Sequence, residues 1–358
     1  MNSNLKQLKN REDSVFSNLL SPKNIMILCV IMLITGVFIS FFISKVGFAM
    51  EQQFSFKLFW DCIFNYDYEN VQHYIFRDVQ LPRVIGAILV GCYLAVGGSV
   101  MQSVTRNYLA DPSIVGVNAG ATLGLTLGFV IMRADSSYFE NVAFSIAGAL
   151  ISTLFIFFIT PMLKGSDSKL KLLLVGSAIS MLISSISSTI SLKAKIEQEL
   201  RLWSGSGLTG VKWMGIAVLS IGLLGVIIAF VFAKEFTVLS MGDEMAIALG
   251  QRVNLVKTMG IIAVAVMSGV VVSVVGSIGF IGFMIPNISK MICGDDYRKT
   301  MPLAAMMGTV FFLYTDILSR TINYPYETPI SSITSVIAIP FFLFLVNSKK
   351  VRMIDGSK

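Results

Sequence analysis

Runs of about twenty consecutive apolar residues, the length a helix needs to cross a hydrocarbon core of ~30 Å, recur along this chain at nearly regular intervals. They fall at roughly 24–46, 82–103, 113–132, 141–163, 171–192, 213–233, 258–276, 278–293, 302–319 and 329–346. A chain that is 54% apolar and 14% charged over 358 residues, with a mean hydropathy of +0.76, has no aqueous folded state that hides so much apolar surface. Lipid is its solvent. Backbone groups in lipid must be satisfied within the chain, which leaves helices or a closed barrel. Barrel strands are segments of ~10 residues with alternating polarity, and long unbroken blocks exclude them. The expected fold class is therefore all-α and polytopic, with about ten transmembrane helices. Runs 258–276 and 278–293 almost touch at Gly276, and the second is short, so two spans or one long broken segment are both open.

Basic residues then orient the chain, because Lys and Arg resist translocation. With the N-terminus inside, the larger share of the 28 Lys and Arg falls in inner loops. The expected organisation is a cytoplasmic tail over 1–23 carrying Lys6, Lys9, Arg11 and Lys23, one transmembrane domain over 24–347, and a cytoplasmic tail over 348–358 carrying Lys349, Lys350, Arg352 and Lys358. Lys193, Lys195 and Arg201 fall outside, against the rule. The net charge of +7 thus reports topology, and no nucleic-acid partner is expected. The first run is long for a signal-peptide core and no small-residue cleavage site follows Lys45, so it reads as a retained helix. Cys29, Cys92 and Cys293 lie in or beside spans and Cys62 in an outer loop, which offers no disulfide framework. His73 is the single histidine, so no His-based metal site arises, and no cofactor is expected.

Several segments carry more than span-forming chemistry. Residues 47–81 are dense in aromatics, among them Phe54, Phe59, Trp60, Tyr66 and Phe76, as suits an interfacial belt. Residues 234–257 form the longest inner loop and read as a short helix, capped by Ser240 or Asp243 and ended by Gly250, with Met245, Leu249 and Val253 as an apolar stripe. Such an element either packs on the chain's own inner surface or meets a partner. Gly120, Gly124 and Gly128, and Gly276, Gly279 and Gly282, allow close helix packing in lipid. Ser177, Ser180, Ser184, Ser187, Ser188 and Ser191 run along one side of the fifth span. Each hydroxyl can bond a carbonyl one turn back, or the stripe can line a wet path for a polar solute.

The missing chemistry narrows the function. No G-x-x-x-x-G-K-[ST] loop is present, so the chain has no ATPase site of its own. Ser-His or Cys-His nucleophiles would all depend on His73, and the chain is not expected to be an enzyme. Ion-coupled carriers use ionisable residues deep in the membrane. Here Asp316 is the one acidic residue clearly within a span, with Arg320 one turn later and able to pair with it.

Leu81-Pro82-Arg83, then Gln102, then Arg106-Asn107-Tyr108-Leu109-Ala110-Asp111-Pro112 with Gly116-Val117 and Gly120-Ala121, resembles the FecCD family of permeases from type II ABC importers for ferric siderophores, haem and cobalamin. Further matches are Gly242-Asp243-x-x-Ala246 with Leu249-Gly250, Gly276-x-Ile278-Gly279-Phe280-Ile281-Gly282 running to Pro286, Asp316 with Arg320, and Glu327-x-Pro329 with Thr334 and Pro340. The resemblance covers roughly 80–347. It implies a permease subunit in a bacterial cytoplasmic membrane, paired with a second permease copy or paralogue, two cytoplasmic ATPase subunits and an extracytoplasmic substrate-binding protein. By motif position it implies ATPase coupling at 239–252, through Met241, Gly242, Asp243, Glu244, Met245, Ala246, Leu249 and Gly250. Met245 and Leu249 are expected to fill a cleft of the ATPase, and Asp243 and Glu244 to face its basic rim. Arg83 and Arg320 are expected as outward-facing docking residues for the binding protein, and the serine stripe as pathway lining at the dimer interface. A ferric siderophore is the expected cargo, with haem or cobalamin as alternatives and an ion-coupled carrier as the alternative mechanism. Departures from the family pattern are Gln80 for an arginine, Tyr108 for a proline, Asn287 for a histidine, Lys290 for an arginine, and Ser331 and Ala338 for glycines.

Overall fold

The computed structural model describes residues 21–42, 60–62, 64, 67, 70–113, 116–132, 138–162, 168–200, 207–323 and 326–347. The expected tails, most of the aromatic segment 47–69 and Arg201 lie outside the described residues. The main elements are α1 (Pro22–Phe42), α2 (Leu81–Thr105), α3 (Val117–Met132), α4 (Tyr138–Met162), α5 (Ser168–Ala194), α6 (Trp213–Leu219), α7 (Gly222–Val231), α8 (Ala233–Ser240), α9 (Asp243–Ala248), α10 (Val253–Val275), α11 (Ile281–Cys293), α12 (Tyr297–Thr321) and α13 (Ile330–Asn347). Among the described residues seven helical stretches are long and apolar enough to span a membrane, and three more apolar helices are shorter. The chain is an all-helical, polytopic integral membrane protein.

The second span starts earlier than Leu81. A turn at Val71–Tyr74 and a π-helical segment at Ile75–Gln80 run straight into α2, so the loop ahead of the second span is shorter than expected. Pro82 has no N–H to continue the ladder, and the turn ahead of it widens so that Leu81 N donates to the Phe76 carbonyl. Phe76, expected in an interfacial belt, is instead core and packs on Phe41 with ring centroids 4.9 Å apart. Trp60 and Phe64 stack on one another and are exposed.

α2 is the axis of the fold. It is among the most buried spans, and it packs against α12, α10 and α11. Close approach is set by glycine pairs. A Cβ on Gly98 would collide with the Gly282 carbonyl of α11, and one on Gly91 with the Gly308 carbonyl of α12. α3 meets α4 in the same way, where Gly120 and Gly124 face Gly148 and Phe144. The sixth expected span is one stretch, Trp213–Val231, kinked between α6 and α7. The Leu219 carbonyl at that kink accepts from the buried Tyr93 hydroxyl at 2.7 Å.

The two runs that nearly touch are separate helices. α10 ends at Gly276 with φ 89°, and the chain re-enters a helix after Phe280, itself at φ 70°. α11 has 13 residues, about 20 Å of rise, too short to cross the ~30 Å core. α5 is the least buried span and exposes Leu174, Met181, Leu182 and Leu192. Those side chains face lipid or another chain.

Candidate functional site

An ion cluster closes the N-terminal end of α2. Arg83 Nε and Nη2 donate to Asp316 Oδ1 at 3.1 and 2.8 Å, while Nη1 and Nη2 donate to the two Glu327 carboxylate oxygens at 2.8 Å each. Asp316 Oδ2 pairs with Arg320 Nη2 at 2.8 Å, so the pairing anticipated on one helix face is present. Arg320 also donates to the Ser40 hydroxyl of α1 at 2.6 Å, and Thr209 donates to Glu327 at 2.6 Å. Two cations and two anions balance. The Arg83 and Arg320 side chains are only 8% and 9% exposed, so neither is the outward-facing cation that was expected. Each guanidinium turns inward because a buried carboxylate, Asp316, needs compensation. Glu327, 35% exposed, is the member that reaches water. Burial pushes its carboxyl up, but the Arg83 and Thr209 hydrogen bonds and the arginine charges outweigh it and hold it below the usual carboxylate range. Beside the cluster Gln80 is buried with its Oε1 unpaired, and Arg77 is exposed.

At the C-terminal end of α2 the segment 234–257 forms two short helices, α8 and α9, rather than one. Gly242 joins them at φ 132° and Gly250 ends α9 at φ 78°. Neither Ser240 nor Asp243 caps: Ser240 donates to the Thr237 carbonyl, and Asp243 makes no cap bond. Asp243 Oδ2 instead accepts from Lys257 Nζ at 2.8 Å and from Arg106 Nη2 at 3.3 Å. That aspartate is therefore spent on its own chain, and Glu244 is the acid left exposed. Val253 is buried at the start of α10 and drops out of the apolar stripe. Met241, Met245 and Leu249 are more than half exposed, and Ile247 joins them at 63%. Ala246 is fully buried and anchors α9. A cleft of about 630 Å3 opens beside this face, lined by Arg106, Asp243, Glu244 and Met245 among others.

The serines of α5 divide. Ser187 is buried and shares a 2.8 Å hydrogen bond with Thr126 of α3. Ser177, Ser180 and Ser191 donate to carbonyls three or four residues back. Ser184 and Ser188 are exposed. One edge of the stripe packs on α3, and the other faces away from the subunit.

The FecCD transport family pattern matches residues 32–348. The chain belongs to the FecCD transport family. Relatives of this FecCD chain include the iron(3+)-hydroxamate import system permease protein FhuB of Bacillus subtilis (strain 168), 38% identical, covering 81% of this chain and 76% of the relative. The iron-uptake system permease protein FeuB of the same organism is 35% identical, over 80% of this chain and 86% of the relative. A solved chain described as an inward-facing conformation of a metal-chelate type ABC transporter superposes with a TM-score of 0.74 at 25% identity, covering 91% of this chain and 99% of the other.

Sequence reasoning picked out Arg106 and Glu327 only as parts of motifs, and missed Ile247, Lys257, Thr209 and Ser40. Three departures of this FecCD chain from the family pattern meet in space. Asn287 Nδ2 donates to the Tyr108 carbonyl at 2.8 Å, and Lys290 Nζ lies 4.7 Å from the Tyr108 ring centroid. Contacts between residues far apart in the chain leave no periodic signal.

Proposed function

We propose that this chain is the membrane-spanning permease subunit of an ATP-binding-cassette importer in a bacterial cytoplasmic membrane, with a ferric siderophore as cargo. The observation that carries the proposal is the exposed apolar face of Met241, Met245, Ile247 and Leu249, held to α2 and α10 by Arg106, Asp243 and Lys257. Four large apolar side chains on a short charged segment call for a protein partner rather than water. An ATPase subunit, one of two, seats there. Both termini lie on that cytoplasmic side. A second permease subunit faces α5, and the outer edge of the serine stripe, with Ser184 and Ser188, lines the path between the two copies. An extracytoplasmic binding protein docks over the Arg83–Glu327 corner. An incoming carboxylate reaches Arg83 there only by displacing Glu327. ATP-driven closure of the ATPase pair moves α8 and α9, and the path opens alternately to either side. The names of FhuB and FeuB support an iron chelate as the cargo.

The test is uptake of radiolabelled ferric siderophores, haem and cobalamin by cells lacking this chain, with and without ATP depletion at preserved membrane potential. Loss of ATP-dependent uptake of one ferric siderophore is expected. Loss of haem or cobalamin uptake alone would reassign the cargo, and uptake that follows membrane potential would sink the ATP-driven mechanism.

A further inference from the structure

Lys290 of α11 is a lysine that span formation does not require. Its side chain is buried, and burying an ammonium costs several kcal/mol unless the surroundings compensate. Its Nζ donates to Gln102 Oε1 at 2.8 Å and lies 4.7 and 4.9 Å from the ring centroids of Tyr108 and Tyr297, within range of a cation–π attraction. All but the Tyr297 contact converge on one turn. The Gln102 carbonyl accepts from the backbone N–H of both Arg106 and Asn107, and Asn287, three residues before Lys290, holds the Tyr108 carbonyl. α11 thus grips the chain on both sides of Arg106. Arg106 itself has φ 51°, a left-handed conformation that costs an ordinary residue ~1–2 kcal/mol and persists where surroundings over-determine it. From that turn its guanidinium reaches Asp243.

We propose that Lys290 is a positioning residue for coupling. It fixes the left-handed turn at Arg106, and with it the Arg106–Asp243 contact through which movement of 241–250 passes to α2 and α11. This rests on the assignment of 241–250 as the ATPase-contacting segment. A filler of the same cavity would need no charge, whereas a positioning cation must keep its donor and its aromatic contact together.

The experiment uses the complete transporter in proteoliposomes, measuring uptake and ATP hydrolysis in parallel. Lys290→Met is expected to lower uptake per ATP hydrolysed about ten-fold, within the range of network mutations, while amide exchange at 106–113 and 241–249 rises. Lys290→Arg, which keeps a cation able to reach Gln102 and lie over Tyr108, is expected to restore the ratio. Lys290→Met with Tyr108→Leu should be no worse than Lys290→Met alone. An unchanged ratio in Lys290→Met, a loss that Arg does not rescue, or unchanged exchange would overturn the proposal. If Lys290→Met does not assemble, Tyr108→Leu alone replaces it, and an unaltered ratio there is equally fatal. Leu249→Arg, run beside these, separates the two levels. Normal uptake in Leu249→Arg removes the coupling segment itself, while lost uptake there with a normal Lys290→Met ratio removes only the role of Lys290.

Discussion

The two ends of α2 carry the same side chain in opposite surroundings. At the N-terminal end Arg83 is sealed between Asp316 and Glu327, with Arg320 completing a balanced set in which Asp316 has no exposed surface. At the C-terminal end Arg106 and Asp243 remain about one-third exposed, at 32% and 33%, and Lys257 16%. A sealed, charge-balanced cluster resists change, because removing one member strands another charge away from water. A half-wet cluster exchanges its partners with solvent at little cost. The N-terminal end therefore acts as a lock on α1, α2 and α12, and the C-terminal end as a joint. Roughly 35 Å of helix, at 1.5 Å per residue, separates them.

Breaking the lock has the largest expected effect. Arg83→Met leaves Asp316 and Glu327 facing each other with one fewer cation, and the expected loss is about 3–5 kcal/mol of stability, read as a large fall in thermal midpoint in detergent. An unchanged midpoint would mean the cluster is not sealed. Charge reversal at Arg83 is expected to disturb folding as well as docking, so it cannot isolate docking. The joint should behave differently. Asp243→Asn is expected to change stability by no more than about 1 kcal/mol, yet to lower uptake several-fold because α9 is no longer tied to Arg106 and Lys257. Loss of stability as large as that of Arg83→Met would erase the distinction between the ends.

Much of the architecture was legible because lipid imposes it: the apolar runs, the all-helical class and the close packing at Gly120, Gly124 and Gly282 follow from backbone satisfaction and helix approach, whereas Gly276 and Gly279 lie at a helix end and in the linker rather than at a crossing. What was hidden depends on pairing across the chain. Arg83 looks like an exposed cation until Asp316 and Glu327 are seen to surround it, since nothing in a one-dimensional pattern says which distant acid folds onto which base, whereas the Asp316–Arg320 pair, four residues apart on one helix, was readable. Asp243 likewise looks available to a partner until Lys257, fourteen residues on, takes it. The stripe at Met245 and Leu249 was readable from spacing, but Ile247 was not, because α9 is too short for helical periodicity to define a face. The early start of the second span was hidden by Pro82, which reads as a helix opening and here follows a π-helical turn.

The smallest effect concerns the lock's one wet member. Glu327 is held below the ordinary carboxylate value of 4.5 by its arginine and threonine partners despite burial. A group whose folded value is depressed contributes stability that is fully present above the unfolded value and is lost as pH falls through the folded one. The thermal midpoint is therefore expected to fall on acidification below about pH 4.5, with Glu327→Gln lowering it at neutral pH and flattening that part of the acid limb. The two proteins should converge in acid, where protonated Glu327 and the glutamine that replaces it are both neutral. Parallel curves down to the lowest pH at which the fold survives would mean that Glu327 adds no titratable stability, and the N-terminal end of α2 would then be locked by Asp316 alone.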